Sequence, residues 1–153
     1  MIDKTTYLKM CKSMPIPCVD LLLYSKDGEI VLVKRNKNNQ SMKDRWATPG
    51  GRIYRDEKIN EAAHRIALRE VGINVPVRRF EHEGVEEVFT KEEHAITNVL
   101  SARVPMQRLR IDRTSSAAGW FRMDNLPLLT NHYNKIVLDF NRRLWNLDFK
   151  GKT

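Results

Sequence analysis

The fold of this chain is decided by residues 50–73, which read GGRIYRDEKINEAAHRIALREVGI. Within this stretch, apolar side chains recur at the three- and four-residue spacing that places them on one face of a helix. They are Ile59, Ala62, Ala63, Ile66, Ala67 and Val71. Gly72 follows, and glycine favours the left-handed conformation that ends many helices. The stretch therefore predicts a glycine loop that leads into an amphipathic helix.

Glu70 is the most informative residue of the predicted helix. On a helical wheel it falls within the apolar arc, where a carboxylate needs a partner because burial of an unpaired charge is expensive. An ion pair with a basic residue and coordination of a metal ion are both open on this ground. The preceding Gly50-Gly51-Arg52 favours the metal, because glycine admits a ligand close to the backbone and a guanidinium binds phosphate. We therefore predict a site for a divalent cation bound to a diphosphate.

The sequence on either side of this stretch predicts an α+β chain. A helix is expected over residues 3–14, before Pro15, and a final amphipathic helix over about 130–147. Two β-rich runs at 18–24 and 29–34 flank a Lys-Asp-Gly turn and predict a hairpin. Further strands are predicted at 75–80, 84–89, 95–104 and 119–123. Many strands with one internal and one terminal helix favour a mixed sheet over a regular alternation of strands and helices.

The composition limits the classes of function. The chain has 153 residues, which fits one domain, and a net charge of +8 from 27 Lys and Arg against 19 Asp and Glu. Such a charge attracts nucleic acid, anionic membranes or phosphorylated small molecules. The most apolar run, residues 16–24, is too short for a membrane span, and no secretory signal is visible. Two cysteines do not make a disulfide scaffold. We expect a cytoplasmic protein that does not bind membranes.

The stretch 51–73 resembles the Nudix box. In that pattern Gly, five residues, Glu and seven residues precede Arg-Glu-U-x-Glu-Glu-x-Gly-U, where U is apolar. The matching residues here are Gly51, Glu57, Arg65, Glu70 and Gly72, without insertion or deletion. Ile66 and Arg69 depart from the pattern, because they stand where the family has glutamate. The resemblance implies one Nudix domain over residues 1–153, an α/β/α sandwich with a central mixed β-sheet.

Within the Nudix family, the chain is similar to the GDP-mannose mannosyl hydrolases, which also lack those two glutamates. This similarity implies that Asp20, Arg35 and Arg52 contact a sugar diphosphate. It implies that Glu70 and a backbone carbonyl of Gly50 or Gly51 hold Mg²⁺, with Mn²⁺ as a possible substitute, and that Arg65 and Glu57 support the site. The implied reaction is attack of water on the sugar C1 with GDP as leaving group. A homodimer, with the N-terminal helix as its contact, is also implied.

The general base is the part of this scheme that the resemblance does not supply. The mannosyl hydrolases have a catalytic histidine before the last strand, but residues 112–119 contain none. We name His94 as the candidate base, with Glu93 and His132 as alternatives. A solvated surface position is the competing interpretation of each.

Two other functions are compatible with the sequence. One is a conventional Nudix pyrophosphohydrolase, which directs water at phosphorus in a nucleoside triphosphate or another nucleoside diphosphate derivative. The other is a catalytically reduced Nudix domain that binds RNA or a partner protein, which the charge of +8 and the two missing glutamates suggest. Nucleic acid therefore stays among the candidate partners.

Overall fold

The computed structural model describes residues 2–36, 45–129 and 131–148. Helix α1 (Lys4–Ser13) is followed by β1 (Ile16–Tyr24), β2 (Glu29–Arg35), β3 (Trp46–Ala47) and β4 (Gly50–Arg52). Helix α2 (Ile59–Val71) comes next, then β5 (Glu81–Phe89), β6 (His94–Arg103), β7 (Ser115–Arg122) and α3 (Asn131–Asp148). None of the helices in these ranges is long and apolar enough to cross a membrane.

Seven strands of the described chain form one mixed sheet with the central path β3-β2-β1-β6-β5. Strand β1 is parallel to β6 along its whole length, from Ile16↔Ala95 to Tyr24↔Arg103, and antiparallel to β4. Strand β2 pairs with β3 and β7. The predicted hairpin of β1 and β2 is joined at Tyr24↔Ile30. Beyond this point each strand has its own partners, which divides the sheet into two parts.

Two apolar clusters lie on opposite faces of the sheet. Alternate residues of β1 point to opposite sides: Val19 and Leu21 pack with Ile66 of α2, whereas Leu22 packs with Phe140 of α3. The helices α2 and α3 therefore cover the two faces. The predicted α+β class, an α/β/α sandwich around a mixed sheet, is confirmed.

Helix α2 begins and ends where its apolar pattern predicts. The backbone N–H of Lys58 donates to Glu61 at 2.9 Å, which satisfies a free donor at the helix start. Gly72 has φ 73° and donates its N–H to the carbonyls of the last turn, which is the left-handed ending that glycine permits. Glu70 lies on the buried face of this helix together with Ile66 and Val71.

The strand predicted at residues 75–80 is wrong. A 3₁₀ turn, Val77–Arg79, follows Pro76, and the N–H of Arg79 donates to the carbonyl of Pro76 at 2.9 Å. Val75 and Phe80 are buried at its two ends, and their apolar character gave the segment its strand-like pattern. Arg78 and Arg79, whose side chains are exposed, lie between them.

Candidate active site

Glu70 and Arg35 form a buried ion pair where α2, β2 and β4 meet. Both carboxylate oxygens of Glu70 accept from Nη1 of Arg35 at 3.4 Å. The backbone N–H of Gly50 donates to Oε2 at 3.2 Å. The side chains of Arg35 and Glu70 are 9% and 3% exposed. Burial raises the pKa of Glu70, and the charge of Arg35 and the Gly50 N–H oppose this rise.

A second arginine, Arg69, reaches the same carboxylate from the outside. Its Nη2 lies 3.7 Å from Oε1 of Glu70, and its Nε lies 3.7 Å from Oδ2 of Asp112. Its Nη1 donates to the hydroxyl of Tyr54 at 3.2 Å. A Cβ atom built on Gly51 would be 3.6 Å from Nη2 of Arg69. The guanidinium therefore lies over the glycine loop, and its side chain is 42% exposed.

Arg65 and Glu57 fix the loop between β4 and α2. Nε and Nη2 of Arg65 donate to Oε1 and Oε2 of Glu57 at 2.6 and 2.9 Å. Nη2 of Arg65 also donates to the carbonyl of Arg52 at 2.9 Å, and the guanidinium lies over the ring of Tyr54. The hydrogen bond from Arg65 lowers the pKa of Glu57. Through these contacts, Arg65 and Glu57 hold the loop in place.

Arg52 is oriented by helix α1. Its guanidinium carbon lies 4.1 Å from the centre of the Tyr7 ring, and such stacking of a cation on an aromatic face is attractive. The hydroxyl of Tyr7 in turn donates to the carboxylate of Glu93. Burial, followed by this hydrogen bond, raises the pKa of Tyr7. The Arg52 side chain is therefore held by Tyr7 of α1, which is itself bound to the β5–β6 turn.

Asp20 is buried below the glycine loop. Its carboxylate accepts from the hydroxyls of Thr48 at 3.3 Å and Thr97 at 2.8 Å. Burial raises its pKa to about 6, against the lowering effect of Thr97 and of the charge on Arg35. A Cβ atom built on Gly50 would be 2.3 Å from Oδ1 of Asp20. In this structure Gly50 is thus required by the close approach of Asp20.

His94 directly follows Glu93 but lies away from Glu70. Its ring stacks on Phe89 with 4.3 Å between the ring centres, and its buried Nε2 has no hydrogen-bond partner among the described residues. Asp20 is paired with Val99 of β6, and His94 lies five residues before Val99 in the same strand. At the rise of a strand, this separates the backbones of His94 and Val99 by roughly 16 Å. The structure does not bring His94 to Glu70. The side chain of His132 lies outside the described residues.

Ser115 is a polar residue of the site that the sequence did not indicate. It is 4% exposed and is paired with Arg35 across β2 and β7. Its Oγ has no hydrogen-bond partner within the described residues. Residues directly opposite in an antiparallel pair share a face of the sheet. The side chain of Ser115 therefore lies on the same face as that of Arg35.

The match to the NUDIX domain model extends over residues 14–140. The chain belongs to the Nudix family. An ADP-ribose pyrophosphatase of Methanocaldococcus jannaschii is 30% identical over 128 residues, which cover 84% of this chain and 74% of that protein. The low-salt glycan biosynthesis protein Agl8 of Haloferax volcanii is 27% identical over 74 residues, 46% of each chain.

Solved structures of Nudix proteins have the same fold. A MutT NUDIX hydrolase from Burkholderia pseudomallei is 26% identical with a TM-score of 0.73, and the match covers 83% of this chain and 98% of that one. The NUDIX domain of Shewanella oneidensis NrtR, complexed with ADP ribose, is 18% identical with a TM-score of 0.74. That match covers 94% of this chain and 99% of the NrtR domain, and at this identity it shows the fold alone.

Nudix hydrolases generally use Mg²⁺, but the contacts of Glu70 in this Nudix protein do not fit a divalent ion. Mg²⁺ needs free carboxylate oxygens and space for several waters. Both oxygens of Glu70 already accept from Arg35, and Arg69 stands beside Oε1. Within the described ranges, no three His, Cys, Asp or Glu side chains are grouped so that they could hold a metal ion.

The two departures from the Nudix box have different structural roles. Ile66 is fully buried in the apolar cluster beneath α2. Arg69 instead takes part in the charged site, through Glu70, Asp112 and Tyr54. Because Arg69 departs from the box, the sequence alone could have indicated that it belongs to the site.

Proposed function

We propose that this Nudix protein hydrolyses a nucleoside diphosphate sugar. The observation that carries the proposal is the partly exposed guanidinium of Arg69 over Gly51, with the half-buried Arg52 as the next residue along the chain. Guanidinium groups bind phosphate oxygens in a fixed, often bidentate geometry. They also offset the charge that develops when a diphosphate leaves. The similarity to an ADP-ribose pyrophosphatase and the resemblance to the GDP-mannose branch both favour this class of substrate.

The remaining site residues act on these two arginines in the proposed scheme. Glu70 holds Arg69 from below, and Arg35 offsets the buried charge of Glu70. Arg35 and Asp20 are only 8% and 6% exposed, so we assign them positioning roles below the loop. Arg65 and Glu57 keep the loop in its conformation. His94 is left out of the group that meets the substrate, because of its place at the start of β6.

The bond that is broken defines two versions of this function. Attack of water on the sugar C1 of GDP-mannose is our first proposal, because Ile66 and Arg69 replace carboxylates that would bind additional metal ions for attack at phosphorus. Cleavage between the phosphorus atoms, as in a conventional Nudix pyrophosphohydrolase, is the second. The name of the Methanocaldococcus jannaschii relative supports the second version.

Hydrolysis in ¹⁸O-labelled water tests the function and separates the two versions. The protein is incubated with GDP-mannose and with ADP-ribose, and the products are examined by mass spectrometry. Label in the free sugar supports attack at C1, whereas label in a phosphate group supports attack at phosphorus. Arg52→Gln is expected to lower kcat/KM by tenfold or more, by roughly the strength of one charge-assisted bond. Arg55→Gln is the matched control, because Arg55 is on the same loop with its side chain 95% exposed.

A domain that binds such a ligand without turnover is the second candidate function. It is favoured by the ion pairs of Glu70 with Arg35 and Arg69, which occupy the carboxylate of the box. The Shewanella oneidensis NrtR domain that shares this fold was solved with ADP ribose bound. Binding of GDP-mannose or ADP-ribose with no product in either case would identify this second function.

We also infer a single domain over residues 1–153 and a homodimer formed through α1. In the described structure, none of the residues of this helix is buried. Leu8 is 45% exposed, and Met14 at the end of the helix is 49% exposed. Light scattering coupled to size exclusion tests the dimer, and a monomer at all concentrations would contradict it.

A further inference from the structure

We propose further that Arg69 is a fixed cation that binds the diphosphate directly, so that ligand binding at this site needs no divalent metal ion. This inference rests on the proposed function, because it concerns how the same diphosphate is held. It starts from the disagreement between the Nudix box, which has a carboxylate at this position, and the guanidinium that the chain places there.

Glu70 has closer partners than Arg69. Arg35 donates to both carboxylate oxygens, and the N–H of Gly50 donates to one of them. Arg69 is farther away, at 3.7 Å from Glu70 and 3.7 Å from Asp112, which is longer than a hydrogen bond. Arg69 is therefore joined to both carboxylates by ion pairs without a hydrogen bond, and its 42% exposed side chain can meet an anion from the solvent side.

The surroundings of Arg69 fix its guanidinium at the place where the ligand would bind. Tyr54, Asp112 and Glu70 contact three different nitrogens of the group. A Cβ atom built on Gly51 would be in ordinary contact with Nη2, which places the guanidinium over this residue. Arg52 is the next residue along the loop, and its side chain is fixed by Tyr7. Arg69 is thus a held guanidinium beside Gly51, and such pre-organisation reduces the entropy lost on binding.

A divalent ion and Arg69 compete for the same carboxylate. An ion bound to Glu70 would stand within a few ångströms of two guanidiniums, and like charges at such distances repel strongly when partly buried. The apolar side chain of Ile66, fully buried, offers no ligand to offset that repulsion. The residues around Glu70 thus favour a permanent arginine charge over a metal ion.

Calorimetric titration with GDP and with ADP tests this inference. Each nucleotide is titrated into the wild-type protein in excess EDTA and in excess MgCl₂. We expect the same Kd within about twofold under both conditions, and a loss of about tenfold or more in Arg69→Ala. Arg69→Lys, which keeps the charge, should recover part of the affinity. Arg55→Ala, the exposed arginine of the same loop, should bind as the wild type does.

A metal-binding measurement provides a second readout. Water-proton relaxation with Mn²⁺ alone should detect no bound ion in the wild-type protein. Arg69→Glu restores the carboxylate of the box and should gain Mn²⁺ binding while it loses affinity for GDP in EDTA. Circular dichroism melts show that each variant is folded, which the 42% exposure of the Arg69 side chain leads us to expect.

The possible failures are distinguishable. Binding of GDP or ADP that requires Mg²⁺, or that is unchanged in Arg69→Ala, overturns the role of Arg69 and leaves the proposed function standing. If neither nucleotide binds the folded wild-type protein with or without Mg²⁺, both the proposed function and this inference are overturned.

Discussion

Glu70 and Arg35 are the most deeply buried of the ion pairs in the described residues. Moving two charges out of water costs free energy that their attraction regains only when both partners are present. Burial raises the pKa of Glu70, and its cationic and N–H partners oppose this rise. Removal of one partner should therefore be far more damaging than replacement of both.

The variant Arg35→Met tests the ion pair at neutral pH. It leaves Glu70 without its buried cation, and we expect the free energy of unfolding to fall by about 3 kcal/mol. Urea denaturation followed by circular dichroism measures this change. The double variant Arg35→Met/Glu70→Leu should regain most of the loss, because no buried charge is left alone. A single variant that unfolds within about 1 kcal/mol of the wild type would refute the argument.

Asp20 predicts a dependence of stability on pH. Its pKa is raised by burial from 3.8 to about 6, so the folded protein binds the proton more tightly than the unfolded chain. The resulting stabilisation is complete below pH 3.8 and is lost as the pH rises through about 6. A difference of about two pKa units corresponds to about 3 kcal/mol.

The variant Asp20→Asn has no such proton to lose. Relative to the wild type, its free energy of unfolding should therefore increase by about 3 kcal/mol between about pH 4 and pH 7. Denaturant titrations at a series of pH values measure the difference. Asp56→Asn, whose side chain is 88% exposed, serves as the control. A difference that does not change with pH would show that burial does not raise the pKa of Asp20.

At this scale, the burial of Glu70 could be predicted from the sequence, but its partners could not. The helical period places residue 70 on the apolar face whatever surrounds it. Arg35 becomes its partner only because β2 ends beside α2, which depends on the pairing of distant strands. Arg69 belongs to the charged series of α2 in the sequence, and only the structure shows that its guanidinium turns back over Gly51.

At the scale of elements, the stretch predicted as a glycine loop is itself a short strand, β4, which pairs with β1. Gly50 is paired with Asp20 of β1, and its N–H donates to Glu70. The sequence suggested that both glycines admit a ligand. The structure separates them, because Asp20 packs directly against Gly50, whereas a side chain on Gly51 would meet Arg69 and Ile66 only at ordinary contact distances.

The variants Gly50→Ala and Gly51→Ala test this difference with the same chemical change. A methyl group on Gly50 would be 2.3 Å from Oδ1 of Asp20 and 2.8 Å from the carbonyl of Val19. We expect Gly50→Ala to lose about 2 kcal/mol of stability through overpacking. A methyl group on Gly51 meets nothing closer than 3.6 Å, so Gly51→Ala should stay within about 0.5 kcal/mol. Equal losses in denaturant titrations would contradict this account.

Long elements whose apolar pattern repeats were predictable, whereas the short turn before β5 was not. Helix α2 has thirteen residues whose apolar positions repeat over several turns, and its bounds follow from the sequence. The segment at Val77–Arg79 is a single 3₁₀ turn, and two buried apolar residues around a proline do not distinguish such a turn from a strand.

At the scale of the whole molecule, the charge of +8 is only partly explained by the site. Exposed arginines also lie in the 3₁₀ turn, at Arg78 and Arg79, and before β7, at Arg108, Arg110 and Arg113. A net positive field increases the rate at which anions arrive, and its effect weakens as salt screens it.

Salt dependence separates a diphosphate ligand from RNA. A nucleoside diphosphate carries few charges, so its affinity should fall by roughly tenfold or less between low and physiological salt. An RNA that contacts many arginines should lose roughly a thousandfold over the same range. Fluorescence titrations with labelled GDP and with a single-stranded RNA measure both slopes. Tight RNA binding with a steep slope, and no binding of GDP, would favour the RNA-binding alternative.

The parallel pairing of β1 with β6 determines when the chain can fold during its synthesis. Strand β1 leaves the ribosome early, but the residues that pair along its whole length begin at Ala95. Until they emerge, Val19, Leu21 and Leu23 lack the strand that completes their burial. Contacts between distant segments form slowly and leave intermediates open to aggregation. Nascent chains that stop before β6 should therefore be protease-sensitive and dependent on chaperones.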